Sequence, residues 1–179
     1  MEMRTPFELL KLTEQKYKQR SVTTLERTEG TQEWTGVLFR IEQDKLLAPM
    51  ATVMEIVPME EYTPVPGVQP WVLGLVNLHG NLVTVVDLEG YLYGRNIDLQ
   101  RHDCKLLVVS NRRYQVGLVV REVFGMKHFW QGETSEADVR LDPKVQRYVQ
   151  SAFSRHGEHY AVFEIERLLA DRNFQHLSR

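Results

Sequence analysis

Two stretches decide the reading of this chain: WVLGLVNLHGNLVTVVDLEGYL, residues 71–92, and YVQSAFSRHGEHYAVFEIERLL, residues 148–169. Laid over each other without a gap, at the 77-residue offset from His79 to His156, they share six identities in 22 positions. These are Val72/Val149, His79/His156, Gly80/Gly157, Val85/Val162, Glu89/Glu166 and Leu92/Leu169. Chance gives about one or two, so the body reads as a single internal repeat. In each stretch an apolar run, a tight His-Gly turn and a second apolar run make a β-hairpin, and Asp87 or Glu164 then opens a helical turn. Asp87 is the natural cap there and Glu164 a weaker one. Asn77 and Gly80 take turn roles, since Gly tolerates positive φ and Asn bonds its own backbone.

Outward from the repeat, GVLFRIEQDKLLAP around Gln43-Asp44 and CKLLVVSNRRYQVGLVV around Asn111-Arg112-Arg113 read as two further hairpins. VMEIVPM (53–59) aligns with VREVFGM (120–126) at an offset of 67, which pairs Glu55 with Glu122. Each half then runs hairpin, Glu-bearing helical turn, connector, hairpin, closing helical turn. Many short strands with few long helical patterns exclude a parallel α/β sheet and predict a mainly β chain. A single doubling implies two similar small barrels about a pseudo-two-fold axis, with apolar residues meeting between them. The predicted core includes Leu75, Val83, Val85, Leu107, Val119, Val162 and Phe163. At the N-terminus, Thr5, Pro6 and Glu8 start a helix over 5–20, and the polar stretch 21–33 is a linker. That helix is expected to dock on the body through its apolar face.

Composition narrows the function. The 179 residues carry 22 Lys plus Arg against 24 Asp plus Glu, a net charge of −2, which argues against a nucleic-acid partner. The lone Cys104 excludes an internal disulfide framework and fits a reducing, cytoplasmic setting. No apolar run reaches the roughly 18 residues of a spanning helix, and the N-terminus lacks a signal-peptide centre, so no direct membrane insertion is expected. His102, Asp103 and Cys104 have the residue types of a thiol triad, but consecutive residues cannot adopt its geometry. His156 and His159 lack the third and fourth ligands that zinc needs, and no phosphate-cradling Gly-rich loop occurs. Hence no catalytic residue, cofactor or metal is expected. A small enzyme built on such a barrel and a detached regulatory domain of a kinase stand as alternatives.

The quoted segment resembles the signature of the CheW-like family: apolar strand, Asn-Leu-x-Gly, apolar strand, Asp-Leu. MATVMEIVPMEEYTPVPG and VGLVVREVFGM resemble the flanking segments of that family, and the resemblance covers roughly residues 34–170. It implies two five-stranded SH3-like barrels, about 34–95 and 102–170 in sequence with strand exchange allowed, an N-terminal appendage over 1–33 and a tail over 171–179. It also implies a non-enzymatic adaptor coupling a methyl-accepting receptor's cytoplasmic tip to a histidine kinase's regulatory domain, in receptor arrays reached through partners. The TPFELL helix, linker and WTGVLFRI are similar in layout to the branch serving type IV pilus twitching motility. Partner contacts are expected at Met50, Val53, Glu55, Ile56, Asn77, His79 and Gly80. Met50, Val53 and Ile56 are candidates for a helix-accepting groove. By the resemblance Glu55 matches an acidic contact residue, and His79 stands where the family commonly has Arg. Arg is permanently charged, whereas His near pH 7 is mostly neutral.

Overall fold

The structure, a computed structural model, describes residues 33–59, 61–100, 103–110, 114–135 and 139–178. The described residues all belong to one compact unit, Gln32–Arg179. The expected helix over 5–20, its linker up to residue 32, His102 and the turn at 111–113 lie outside the described residues.

The body is mainly β. Eleven strands are described: β1 (Glu33–Ile41), β2 (Asp44–Pro49), β3 (Val53–Pro58), β4 (Val72–Leu78), β5 (Asn81–Asp87), β6 (Lys105–Ser110), β7 (Gln115–Val120), β8 (Glu122–Trp130), β9 (Thr134–Ser135), β10 (Val149–Arg155) and β11 (Glu158–Phe163). Four short helices punctuate them: α1 (Leu88–Tyr93), α2 (Pro143–Gln146), α3 (Ile165–Ala170) and α4 (Arg172–Gln175). One sheet has the order β3-β6-β7-β5-β4 and the other β8-β1-β2-β11-β10-β9. Apart from the two-residue edge β9, the two orders match strand for strand. Each has its one parallel contact at the same place, β5 on β7 and β11 on β2.

Strand membership crosses the repeat boundary. The hairpin β1–β2 of the first repeat joins β8, β10 and β11 of the second, while β6–β7 of the second joins β3, β4 and β5 of the first. Each half therefore lends its hairpin to the other. The downstream correspondence holds to the residue: β4 and β10 start 77 apart, at Val72 and Val149, and a bulge follows in both, before Gly74 and before Ser151. His79 and Gly80 have φ of 51° and 88°, and His156 and Gly157 have 53° and 80°. Both are two-residue hairpin turns in left-handed backbone, where the Gly avoids a Cβ penalty.

Upstream the structure corrects the alignment. Val53 pairs with Val109, and Val123 pairs with Phe39, so the correspondence runs at 70 residues, not 67. Glu55 then corresponds to Gly125 rather than Glu122, and the bulged residues Met54 and Phe124 correspond to each other. The helical turns expected over VMEIV and VREVF are also strands, β3 and the start of β8. Their β-branched Val53, Ile56, Val57 and Val123 favour a pleated surface over a helix.

Three apolar clusters follow from this layout. The largest lies between the sheets and takes Val37, Phe39 and Leu46 from one and Val86, Leu107, Val109 and Leu118 from the other. Each sheet also covers a core of its own, Val76, Val83, Val85, Leu106, Val108 and Val119 in one and Leu38, Leu47, Phe129, Phe153 and Val162 in the other. Central strands are thus buried on both faces, which is why LLVV and VGLVV are continuous apolar runs. Of the predicted core, Val83, Val85, Leu107, Val119, Val162 and Phe163 are buried, but Leu75 is only half-buried. It lies on edge strand β4, and the bulge before Gly74 aims Val76 into the sheet's core instead. The segment 171–178 carries α4, whose Phe174 is buried in the inter-sheet core.

Candidate functional site

β3 is one edge of its sheet, and successive residues on a strand point to opposite faces. Ile56 lies opposite Leu107, on the inter-sheet face, whereas Glu55 lies opposite Val108, on the side of the sheet's own core. The predicted residues therefore fall into two groups. Met50 and Ile56 are 37% and 38% exposed, and Ile56, opposite Leu107, stands at the rim of the inter-sheet core. Val53 differs from the other two in being buried within that core, so it supports the rim rather than presenting a surface.

The second group gathers where the β4–β5 turn meets β3. Asn77 Oδ1 accepts from Gly80 N at 2.9 Å and closes the turn. His79 Nε2 is 3.0 Å from Glu55 Oε1, so strand and turn are tied side chain to side chain. The hydrogen bond to Glu55 and its negative charge raise the His79 pKa above its ordinary value. The pair is thus fully formed below the ordinary imidazole range and lost as pH rises through the folded-state pKa. Where the family commonly has Arg, this chain carries a cation whose charge depends on pH. Leu82, exposed on β5 just past the turn, adds an apolar neighbour.

The sequence reading missed the matching edge. β8 is one edge of the other sheet, and Met126 lies opposite Val37 of the inter-sheet core. Apart from Leu82, every large exposed hydrophobic among the described residues lies on β3, its 3-10 lead-in or β8: Met50, Met54, Ile56, Phe124, Met126 and Trp130. Met54 and Phe124, and Ile56 and Met126, are repeat-equivalent pairs. Val53 and Val123 also border the same core from the two sides. The signal that could have found β8 was the alternation Phe124, Met126, His128, Trp130, masked when the segment was aligned as a helical turn.

Asp87 is fully buried, with its carboxylate accepting from Gly90 N at 3.0 Å and Ile97 N at 2.6 Å, which is a capping role. Glu164 caps α3 without a side-chain bond, as expected of the weaker group. Cys104 is buried, and burial pushes its thiol up to about 11, the opposite of an activated nucleophile. Among the described residues no cluster of His, Cys, Asp and Glu is placed to hold a metal ion. No described helix is long and apolar enough to cross a membrane.

Comparisons with known proteins agree with this architecture. Residues 35–173 match the CheW-like domain. The chain is 33% identical to Protein PilI of Pseudomonas aeruginosa over 173 residues, 97% of this chain and 96% of that one. It is 26% identical to the chemotaxis protein CheW of Thermotoga maritima over 98 residues, covering 55% of this chain and 64% of the relative. The crystal structure of the scaffolding protein TtCheW from Thermoanaerobacter tengcongensis matches with a TM-score of 0.65 at 18% identity, over 82% of this chain and all of that one. That likeness establishes the fold as two SH3-like subdomains. With a family-wide match over most of its length and a relative similar from end to end, this chain belongs to the CheW-like family.

Proposed function

We propose that this chain is a non-enzymatic adaptor of a chemotaxis-like pathway that controls type IV pilus twitching motility. Its two surfaces take different partners. The groove rimmed by Met50, Met54 and Ile56 on one side and Phe124 and Met126 on the other takes the helical cytoplasmic tip of a methyl-accepting receptor. The Glu55–His79 end, with Asn77, Gly80 and Leu82, docks the regulatory domain of a histidine kinase. Edge strand β3 contributes to both surfaces because its alternate side chains face opposite ways.

The observation that carries this reading is the concentration of exposed large hydrophobics on two repeat-equivalent edge strands bordering one core. An exposed apolar stripe of this kind marks an interaction surface, and an amphipathic helix laid in a groove is a recurrent occupant. The pilus branch is supported by similarity to PilI that extends through 97% of the chain, beyond the 35–173 domain. Affinity capture from native lysate tests it: a methyl-accepting receptor and a histidine kinase should co-purify. Capture of neither would remove the proposal.

A further inference from the structure

One charge cluster with a buried carboxylate at its centre sits where the two sheets are joined. Glu89 of α1 is 1% exposed. Its carboxylate receives Arg121 Nε at 2.7 Å and Nη2 at 2.8 Å, a two-pronged grip. Glu89 Oε1 also accepts from Glu42 N at 2.7 Å, and Arg121 lies 3.2 Å from the Glu42 carboxylate. Arg121 is the single residue between β7 in one sheet and β8 in the other. Its own N–H donates to Arg40 O on β1 at 3.0 Å. Glu42 belongs to the β1–β2 turn and holds φ of 45°, a left-handed conformation costly for a residue with a Cβ. Thus one carboxylate, on the helix that follows β5 of the first sheet, grips the crossover and the nearest turn of the second sheet.

The repeat supplies its own comparison. Arg121 corresponds to Ala51, in the 3-10 lead-in to β3, and Glu89 corresponds to Glu166, which is exposed. The position equivalent to Arg121 therefore carries no charged side chain. The core between the sheets is mostly Val and Leu, which attract without direction and would accommodate a small slide. A forked Arg–carboxylate contact has one geometry and would not. Buried ion pairs add little net stability over apolar replacements, and their best-attested use is to specify one arrangement.

We propose that the Glu89–Arg121–Glu42 cluster is a positioning device that fixes how the two sheets sit on each other and so sets the spacing of edges β3 and β8. The proposal holds whatever occupies the surface between those edges. Spin labels at Leu82→Cys and His159→Cys, exposed repeat-equivalent positions on β5 and β11, report the separation of the sheets. Buried Cys104 stays unlabelled. The distance distribution of the otherwise unchanged chain is expected to be narrow. Glu89→Gln keeps the side-chain shape but not the charge, and Arg121→Lys keeps the charge but not the fork; both should shift or broaden it. As a control, Glu133→Gln removes a grip of equal closeness that does not join the two sheets, since Arg155 lies on β10 and Glu133 directly precedes β9 in the same sheet. It should lower the melting temperature and leave the distance unchanged. Should Glu89→Gln fail to fold, Arg121→Lys carries the test. A wild-type distribution in every folded variant at Glu89 or Arg121, or an equal change in Glu133→Gln, would overturn the proposal.

Discussion

Asp87 and Glu164 occupy the same place in the two repeats, yet only one makes capping bonds, so the pair forms a matched experiment. Asp87→Ala strands two buried donors, Gly90 N and Ile97 N. A stranded buried donor costs about 1–3 kcal/mol, and losing a helix N-cap typically costs ~1 kcal/mol. Because the Gly90 bond is itself the cap, the two terms overlap, and about 2–4 kcal/mol is a fair total for both donors. For a chain of this size 1 kcal/mol moves the melting temperature by about 2–4 °C, so the expected loss is about 4–16 °C. Glu164→Ala removes no cap bond and should stay within about 0.5 kcal/mol of the parent. Burial raises the Asp87 pKa, and the bonds from Gly90 N and Ile97 N work against that rise. Asp87→Asn keeps one acceptor and turns an NH2 toward the other donor, and should lose at least half as much as the alanine. Urea denaturation at pH 7 with an unchanged slope gives the comparison directly. Equal losses at 87 and 164, or none at 87, would refute the capping argument.

Three more outcomes are expected. Glu133 is held at a pKa of about 2 by Arg155 and Trp130 N, against an ordinary 4.5. Its contribution is present above 4.5 and lost as pH falls toward 2, so the melting difference between the parent and Glu133→Gln should shrink over that window. Cys104 should resist thiol reagents at pH 8 in the native protein and react promptly in urea; prompt native reaction would contradict its burial and raised pKa. Incubated with ATP, the purified chain should neither hydrolyse it nor label itself, and phosphorylation without added kinase would sink the adaptor reading.

Local chemistry was legible in the sequence. The His-Gly turns and the Asp87 cap each depend on residues within a few positions of one another, and the 77-residue repeat shows as identities between two stretches. Strand exchange was allowed by the family resemblance, but which hairpins exchange was not legible, because β5 on β7 and β11 on β2 are long-range parallel contacts that no periodicity encodes. The 67-residue alignment failed for a related reason: it matched letters, Glu55 to Glu122, where the structure matches register around a bulge. The same error hid β8, whose exposed Met126 has its counterpart in Ile56, a residue singled out on the other edge. Glu55 and His79 were each picked out, but their contact spans two strands and required the fold.

The division of labour between the two surfaces is tested most directly by titrating two purified partners, the receptor tip and the kinase regulatory domain, against Met126→Asp and Glu55→Lys. Met126 is 61% exposed, so its replacement should fold, and a charge set into an apolar interface costs on the order of 2–5 kcal/mol. The account predicts that Met126→Asp weakens receptor-tip binding by roughly thirty-fold or more while kinase-domain binding is kept, and that Glu55→Lys does the reverse. Receptor-tip binding by Met126→Asp at parental strength would contradict it.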